Sequence, residues 1–227
     1  MQKPIFLVGG GKGGVGKSLF TVALVDHALA MDGRPFLIET DTSVPDVYKA
    51  YRDEIDAELV NLDEREGWIE LLNVVESRPE NTIIVNTGAR NQTGITNFGK
   101  TLRTALPHLK RRLVVFWMID RKREGLELLG DFTEALPDAT INVVRNMYFG
   151  TEGKFEMYNI SKAREMIEQR GGRSLNFPEL ADRVTDAMNK GRLTVGKAVQ
   201  ELSFGDRMEV ERWRDECKEM FAEVIRE

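Results

Sequence analysis

The sequence predicts an α/β protein, a mainly parallel sheet flanked by helices. Three observations predict it. Short apolar runs alternate with segments of helical period, the pattern of strands joined by crossover helices. Those runs are near-continuously apolar, as strands covered on both faces must be. The first run also passes through a glycine-rich loop directly into an amphipathic segment.

The elements follow in order. A first strand is expected over residues 4–8 and a helix over 17–31, with Gly33 placed for a C-terminal glycine cap. The second strand falls at 35–39. A helix at 68–76 precedes the third core strand, 82–86. Glycines and polar residues cluster over 86–99 and again over 149–153, which reads as long loops, with a helix at 96–105. Strands at 113–119 and 141–145 bracket a helix at 122–134. A helix at 161–169, a weaker strand near 173–177 and a helix at 179–190 complete the pattern. Trp68, Phe116 and Trp117 sit in core-like runs and are expected to pack.

The last segment, 206–227, aligns Val210, Trp213, Cys217, Met220, Phe221 and Val224 on one helical face. Acidic residues outnumber basic ones there, eight to five, counting Arg226 and Glu227. Anionic lipid would repel such a face, whereas interfacial helices are usually basic. The helix, about 206–226, is therefore expected to pack on the domain, and no membrane partner is expected. With no internal repeat and no proline-rich linker, residues 1–227 read as one domain.

Composition sets further bounds. The chain has 227 residues, 41% hydrophobic and 30% charged, ordinary for a soluble globular protein. No apolar run approaches the roughly 20 residues that span a bilayer, and the N-terminal apolar stretch runs into a glycine loop rather than a cleavage site. The single cysteine, Cys217, excludes an internal disulfide and any CxxC motif. A cytoplasmic location is the expectation. His27 and His108 lack metal-ligand spacing. The net charge of −5 argues against tight autonomous binding to nucleic acid. Lys110-Arg111-Arg112 and Arg121-Lys122-Arg123 leave room for a non-specific DNA contact.

The strongest chemical signal is Gly11-Lys12-Gly13-Gly14-Val15-Gly16-Lys17-Ser18, which fits G-x-x-x-x-G-K-[ST] at every position. Glycines let backbone N–H groups converge on phosphate oxygens, and the helix N-terminus adds partial positive charge. Lys17 is placed for the β- and γ-phosphates and the Ser18 hydroxyl for Mg²⁺, with Leu19 completing the nucleotide-binding set. The expected fold is thus a three-layer P-loop NTPase domain, and the expected ligands are ATP and Mg²⁺. There is no N-K-x-D guanine signature, which favours adenine.

A second lysine, Lys12, lies inside the loop. Lys12-Gly13-Gly14-Val15-Gly16-Lys17-Ser18 resembles the deviant Walker A motif K-G-G-x-G-K-[ST] of the ParA/MinD family of ATPases. The resemblance implies that Lys12 reaches across a dimer interface to the partner's phosphates, so that ATP joins two subunits and hydrolysis releases them. Lys12, Lys17 and Asp41 are then the catalytic candidates. Asp41, in Glu39-Thr40-Asp41, matches the second aspartate of the family's D-x-D, which helps organise Mg²⁺ and the attacking water; it could instead cap the segment after it. Asn86 stands where the family's Walker B strand ends in aspartate, a departure that weakens Mg²⁺ retention and puts fast hydrolysis in doubt. Ser18, Asp41 and Asn86 are the metal candidates. Gly88 keeps a flexible element able to respond to a γ-phosphate. Asn146 matches the family's strand-end asparagine near the base, and Phe177-Pro178 is placed for the base's other side.

Small plasmid-borne members of the family suggest an ATP-switched role in DNA or plasmid partition, positioning or conjugative transfer, with a protein partner or adaptor. A metabolic enzyme of the dethiobiotin-synthetase type and a nucleotide-binding adaptor with little hydrolysis are the alternatives. Iron–sulfur relatives are excluded, since each subunit there supplies two cysteines.

Overall fold

The computed structural model describes residues 3–31, 33–88 and 92–225. Among them seven strands form one sheet: β1 (Ile5–Gly10), β2 (Pro35–Glu39), β3 (Ala57–Leu59), β4 (Thr82–Asn86), β5 (Leu113–Ile119), β6 (Thr140–Asn146) and β7 (Ser174–Phe177). The order is β3-β2-β4-β1-β5-β6-β7, and every pairing is parallel. The chain first builds the sheet on one side of β1 and then crosses to the other. The carboxyl end of β1 is therefore a switch point, where open α/β sheets hold ligands.

Side chains alternate along each strand, so the sheet buries two separate cores. On β5, Val114, Phe116 and Met118 enter one core, while Leu113, Val115, Trp117 and Ile119 enter the other. The first core is covered by α1 (Lys17–Ala30), α2 (Asp46–Tyr51), α8 (Asp182–Gly191), α9 (Val195–Glu201) and α10 (Phe204–Ala222). The second is covered by α3 (Arg65–Ser77), α4 (Gln92–Leu109), α5 (Arg123–Ala135), α6 (Glu156–Asn159) and α7 (Lys162–Gln169). The result is a three-layer α/β architecture with a wholly parallel sheet. Trp68, Phe116 and Trp117 are all buried in it.

Several details differ from the sequence reading. β1 runs two residues further than expected, because Gly9 and Gly10 still pair with Trp117 and Met118. A Cβ at Gly10 would lie 2.9 Å from the Met118 carbonyl oxygen, so the strand's last turn of contact requires glycine. The loop expected over 86–99 is overturned for most of its length: α4 begins at Gln92. Its Gly94 lies against the Leu62 carbonyl, where a side chain would collide, so that glycine marks a close approach rather than a loop. Residues 89–91 of the expected loop lie outside the described residues, as do Arg226 and Glu227. The helix expected from 179 starts at Asp182, since Ala181 is extended (φ −54°, ψ 133°). β3, α2, α6 and α9 were not foreseen.

Gly33 donates its amide to the Ala28 carbonyl (2.8 Å), closing the end of α1. At the other end of the chain α10 buries Val210, Trp213, Cys217, Met220 and Phe221 in the first core. Arg214 fixes it further, its guanidinium donating to both carboxylate oxygens of Asp26 on α1 (2.7 and 2.9 Å). No helix among the described residues is long and apolar enough to cross a membrane.

Candidate functional site

The glycine-rich loop leaves β1 and turns into α1 through two left-handed glycines, Gly14 (φ 79°) and Gly16 (φ 101°). Those angles strain any other residue. Gly16 also faces the Asn146 amide so closely that a Cβ there would collide with it. At the loop's start, a Cβ on Gly11 would meet Leu128 of α5 at 2.6 Å. The loop is thus clamped between β6 and α5, and its glycines are what allow the approach.

Lys17 is buried with its ammonium donating to the Lys12 carbonyl (2.6 Å). Burial lowers its pKa to about 8, against the opposing pull of the Asp41 and Glu39 carboxylates. Asp41 lines the same cleft. Its Oδ1 accepts from the Ser43 amide and hydroxyl and the Val44 amide, so it also ties down its own loop. Partial burial raises the Asp41 pKa, but those bonds and Lys17 outweigh it and hold the carboxyl below its ordinary value.

Behind them runs a buried polar chain. Thr21, one turn after Ser18 on α1, donates its hydroxyl to Asn86 Oδ1 (2.9 Å). Asn86 Nδ2 donates to both oxygens of Glu39 (3.1 and 2.9 Å). Glu39 Oε1 also accepts the Asp41 amide (3.0 Å). Burial pushes the Glu39 carboxyl up to about 7, resisted by these hydrogen bonds. Beside this chain, the Gly88 amide donates to the Thr40 hydroxyl (3.1 Å), so the second residue after β4 is tied to the residue that follows β2.

Asn146 lines the cleft, yet both ends of its amide are engaged: Nδ2 donates to the Val15 carbonyl (3.0 Å) and Oδ1 accepts the Tyr148 amide (3.1 Å). It fastens the loop to β6. Pro178 lines the cleft as well, while Phe177 is buried in the first core. The cleft, about 420 Å³, runs from Gly13, Gly14, Lys17 and Ser18 to the polar face of α8. Leu19 lines it too. That α8 face, Asp182, Thr185, Asp186 and Asn189, was missed by sequence reasoning although its i, i+3, i+4, i+7 spacing was readable. Thr21 was missed also, and only tertiary pairing reveals it.

Lys12 points elsewhere in the single chain. Its ammonium pairs with Glu124 in the first turn of α5. The basic clusters lie at opposite ends of β5, roughly 23 Å apart for a seven-residue strand. Arg111 is buried and donates to the Asn81 and Arg78 carbonyls, so it is a structural clasp and not part of a basic surface. His27 packs on Phe221, and no cluster of metal-ligating His, Cys, Asp or Glu occurs among the described residues.

No protein-family model matches the chain. Solved structures share its fold, and two are representative. One is a candidate plasmid partition protein of Borrelia burgdorferi B31 bound to AMPPNP, 16% identical, with a TM-score of 0.62 over 99% of this chain and 100% of that one. The other is the MinD cell division protein of Aquifex aeolicus, 13% identical, with a TM-score of 0.57 over 98% and 99% of the two chains. A curated relative, Protein MobD of Acidithiobacillus ferrooxidans, is 48% identical over 227 residues, all of both chains. The chain therefore belongs to the family of Protein MobD, built on the MinD/ParA-type P-loop fold.

Proposed function

We propose that the chain binds ATP with Mg²⁺ in this cleft and acts as a nucleotide-gated dimer, an ATPase switch in DNA or plasmid partition, positioning or transfer. The observation that carries the reading is the polarity of the cleft. One end offers loop amides, the α1 N-terminus and Lys17; the other offers the hydroxyl and carboxylates of α8. A triphosphate suits the first end, and ribose hydroxyls and an exocyclic amine suit the second. AMPPNP in the Borrelia protein of the same fold supports the choice of nucleotide.

The residues fit Mg²⁺. Ser18, Asp41 and Asn86 line one part of the cleft, a hydroxyl, one carboxylate and one amide. Mg²⁺ commonly binds through one or two carboxylates, substrate phosphates and retained waters rather than an all-protein cage. When bound it neutralises charge on the β- and γ-oxygens. Lys17 leaves the Lys12 carbonyl for the phosphates, Asp41 orients the attacking water, and Asn86 accepts a hydrogen bond without adding charge. Turnover is therefore expected to be slow. Lys12 in this reading exchanges Glu124 for the phosphates of a second copy.

Titration with a fluorescent ATP analogue, with and without Mg²⁺, tests the site. Light scattering with ATP tests the switch. A chain that binds ATP, stays monomeric and turns over only with a small-molecule substrate would instead be a metabolic enzyme.

A further inference from the structure

β2 and β4 lie side by side with Glu39 opposite Asn86 in the register. A strand-end carboxylate thus lies one strand away from Asn86. Glu39 has no exposed surface, and both its oxygens accept the Asn86 Nδ2 group. That contact decides which way the amide faces. Both Glu39 oxygens accept from the NH₂ end of Asn86, which holds that end toward β2 and leaves Oδ1 toward α1, where Thr21 donates to it. Reversed, the amide would set its carbonyl against the Glu39 oxygens and its NH₂ group against the Thr21 hydroxyl. A metal-bound water is a hydrogen-bond donor, since its lone pair faces the cation. It needs Oδ1.

We propose that Glu39 is a positioning residue for the metal shell, orienting Asn86 so that Oδ1 receives a Mg²⁺-bound water. The assignment rests on the nucleotide reading of the cleft. It also changes what Asn86→Asp does. An aspartate at 86 would lie in hydrogen-bond contact with Glu39, and two carboxylates that close share one proton. The acid is restored only when Glu39 is neutralised with it.

The experiment measures the affinity of a slowly hydrolysed fluorescent ATP analogue in EDTA and in Mg²⁺, together with the melting temperature. In the wild type Mg²⁺ should raise the affinity. Glu39→Gln keeps the shape and loses the charge; its affinity in EDTA should stay near wild type, while the gain from Mg²⁺ falls about tenfold or more. The double variant Glu39→Gln/Asn86→Asp should recover that gain, and Asn86→Asp alone should not exceed the wild type. An undiminished Mg²⁺ gain in Glu39→Gln overturns the proposal. So does an equal loss of affinity in both buffers alongside a lower melting temperature, the mark of a purely structural role. So does a folded double variant without recovery. A wild type that binds the analogue in neither buffer overturns the nucleotide reading and this assignment with it.

Discussion

Burial lowers the Lys17 pKa to about 8, and in the free protein its ammonium has a loop carbonyl as acceptor, a partner it can exchange. Removing it as Lys17→Ala deletes a charged contact worth roughly 1.5–3 kcal/mol, a ten- to hundredfold loss of ATP affinity. Unchanged affinity in the fluorescent titration would sink the P-loop assignment. The pH dependence has a definite sign. Between about 8 and the ordinary 10.5 the unfolded chain holds more protons at this lysine than the folded one, so its contribution to stability rises with pH in that window. Phosphates restore the ammonium, so binding at pH 9 should take up a proton, approaching about one per nucleotide, and at pH 7 close to none. Calorimetry in two buffers of different ionisation enthalpy measures this, and Lys17→Ala should abolish it. At this scale the sequence was informative wherever one backbone segment carries the chemistry, as in Gly11–Ser18. It was silent where the chemistry is tertiary. Neither the Thr21–Asn86–Glu39 chain nor the engagement of Asn146 with Val15 and Tyr148 leaves a local pattern.

The helix α10 reaches the cleft without lining it. Trp213, fully buried, donates its indole N–H to the Pro178 carbonyl (3.0 Å), and Glu209 accepts the Ala181 amide (3.2 Å). These two bonds hold the extended segment between β7 and α8, the wall that Pro178 and Leu180 present to the cleft. Trp213→Phe keeps most of the packing and loses the bond, so about 1 kcal/mol of stability should go, with weaker nucleotide binding. Trp213→Ala also leaves a cavity and should cost about 3–5 kcal/mol; chemical denaturation compares the two. Burial pushes the Cys217 thiol well above its usual range, so it should resist thiol reagents in the folded protein and react only when α10 lifts. Rapid labelling of native protein would mean that α10 is not docked as described. Element legibility follows the same physics. β2, β4 and β5 were readable to the residue because strands buried on both faces are uniformly apolar. β3 escaped because it is a three-residue edge strand, half exposed, with no run to detect. Gly94 misled because a glycine demanded by a neighbouring carbonyl looks in sequence like a glycine demanded by a turn.

At the scale of the whole molecule the open question is the second copy. A motif can show that Lys12 is surplus to the phosphates of its own loop, but not where it goes, because its partner lies on another helix or another chain. In the single chain it goes to Glu124, with the two side chains 28% and 55% exposed. A pair that open to water is worth about 0–1 kcal/mol, so releasing it scarcely opposes assembly. If Lys12 then meets the partner's phosphates, Lys12→Ala should leave ATP binding by the monomer nearly intact, since Lys17, Ser18 and the loop amides remain. It should abolish ATP-induced dimerisation, because two triphosphates would face each other in a desolvated interface without compensating charge. Glu124→Gln acts in the opposite direction. It frees Lys12 from its intrachain partner in both protomers, so the dimer should form at up to about thirtyfold lower protein concentration, the equivalent of the two intrachain pairs that a dimer gives up. Light scattering on wild type and both variants, with ATP and without, reads all three states. Dimerisation of Lys12→Ala as readily as the wild type would remove the trans role. A Glu124→Gln protein that dimerises less well than the wild type would show that Glu124 belongs to the interface itself, holding Lys12 for the partner rather than away from it.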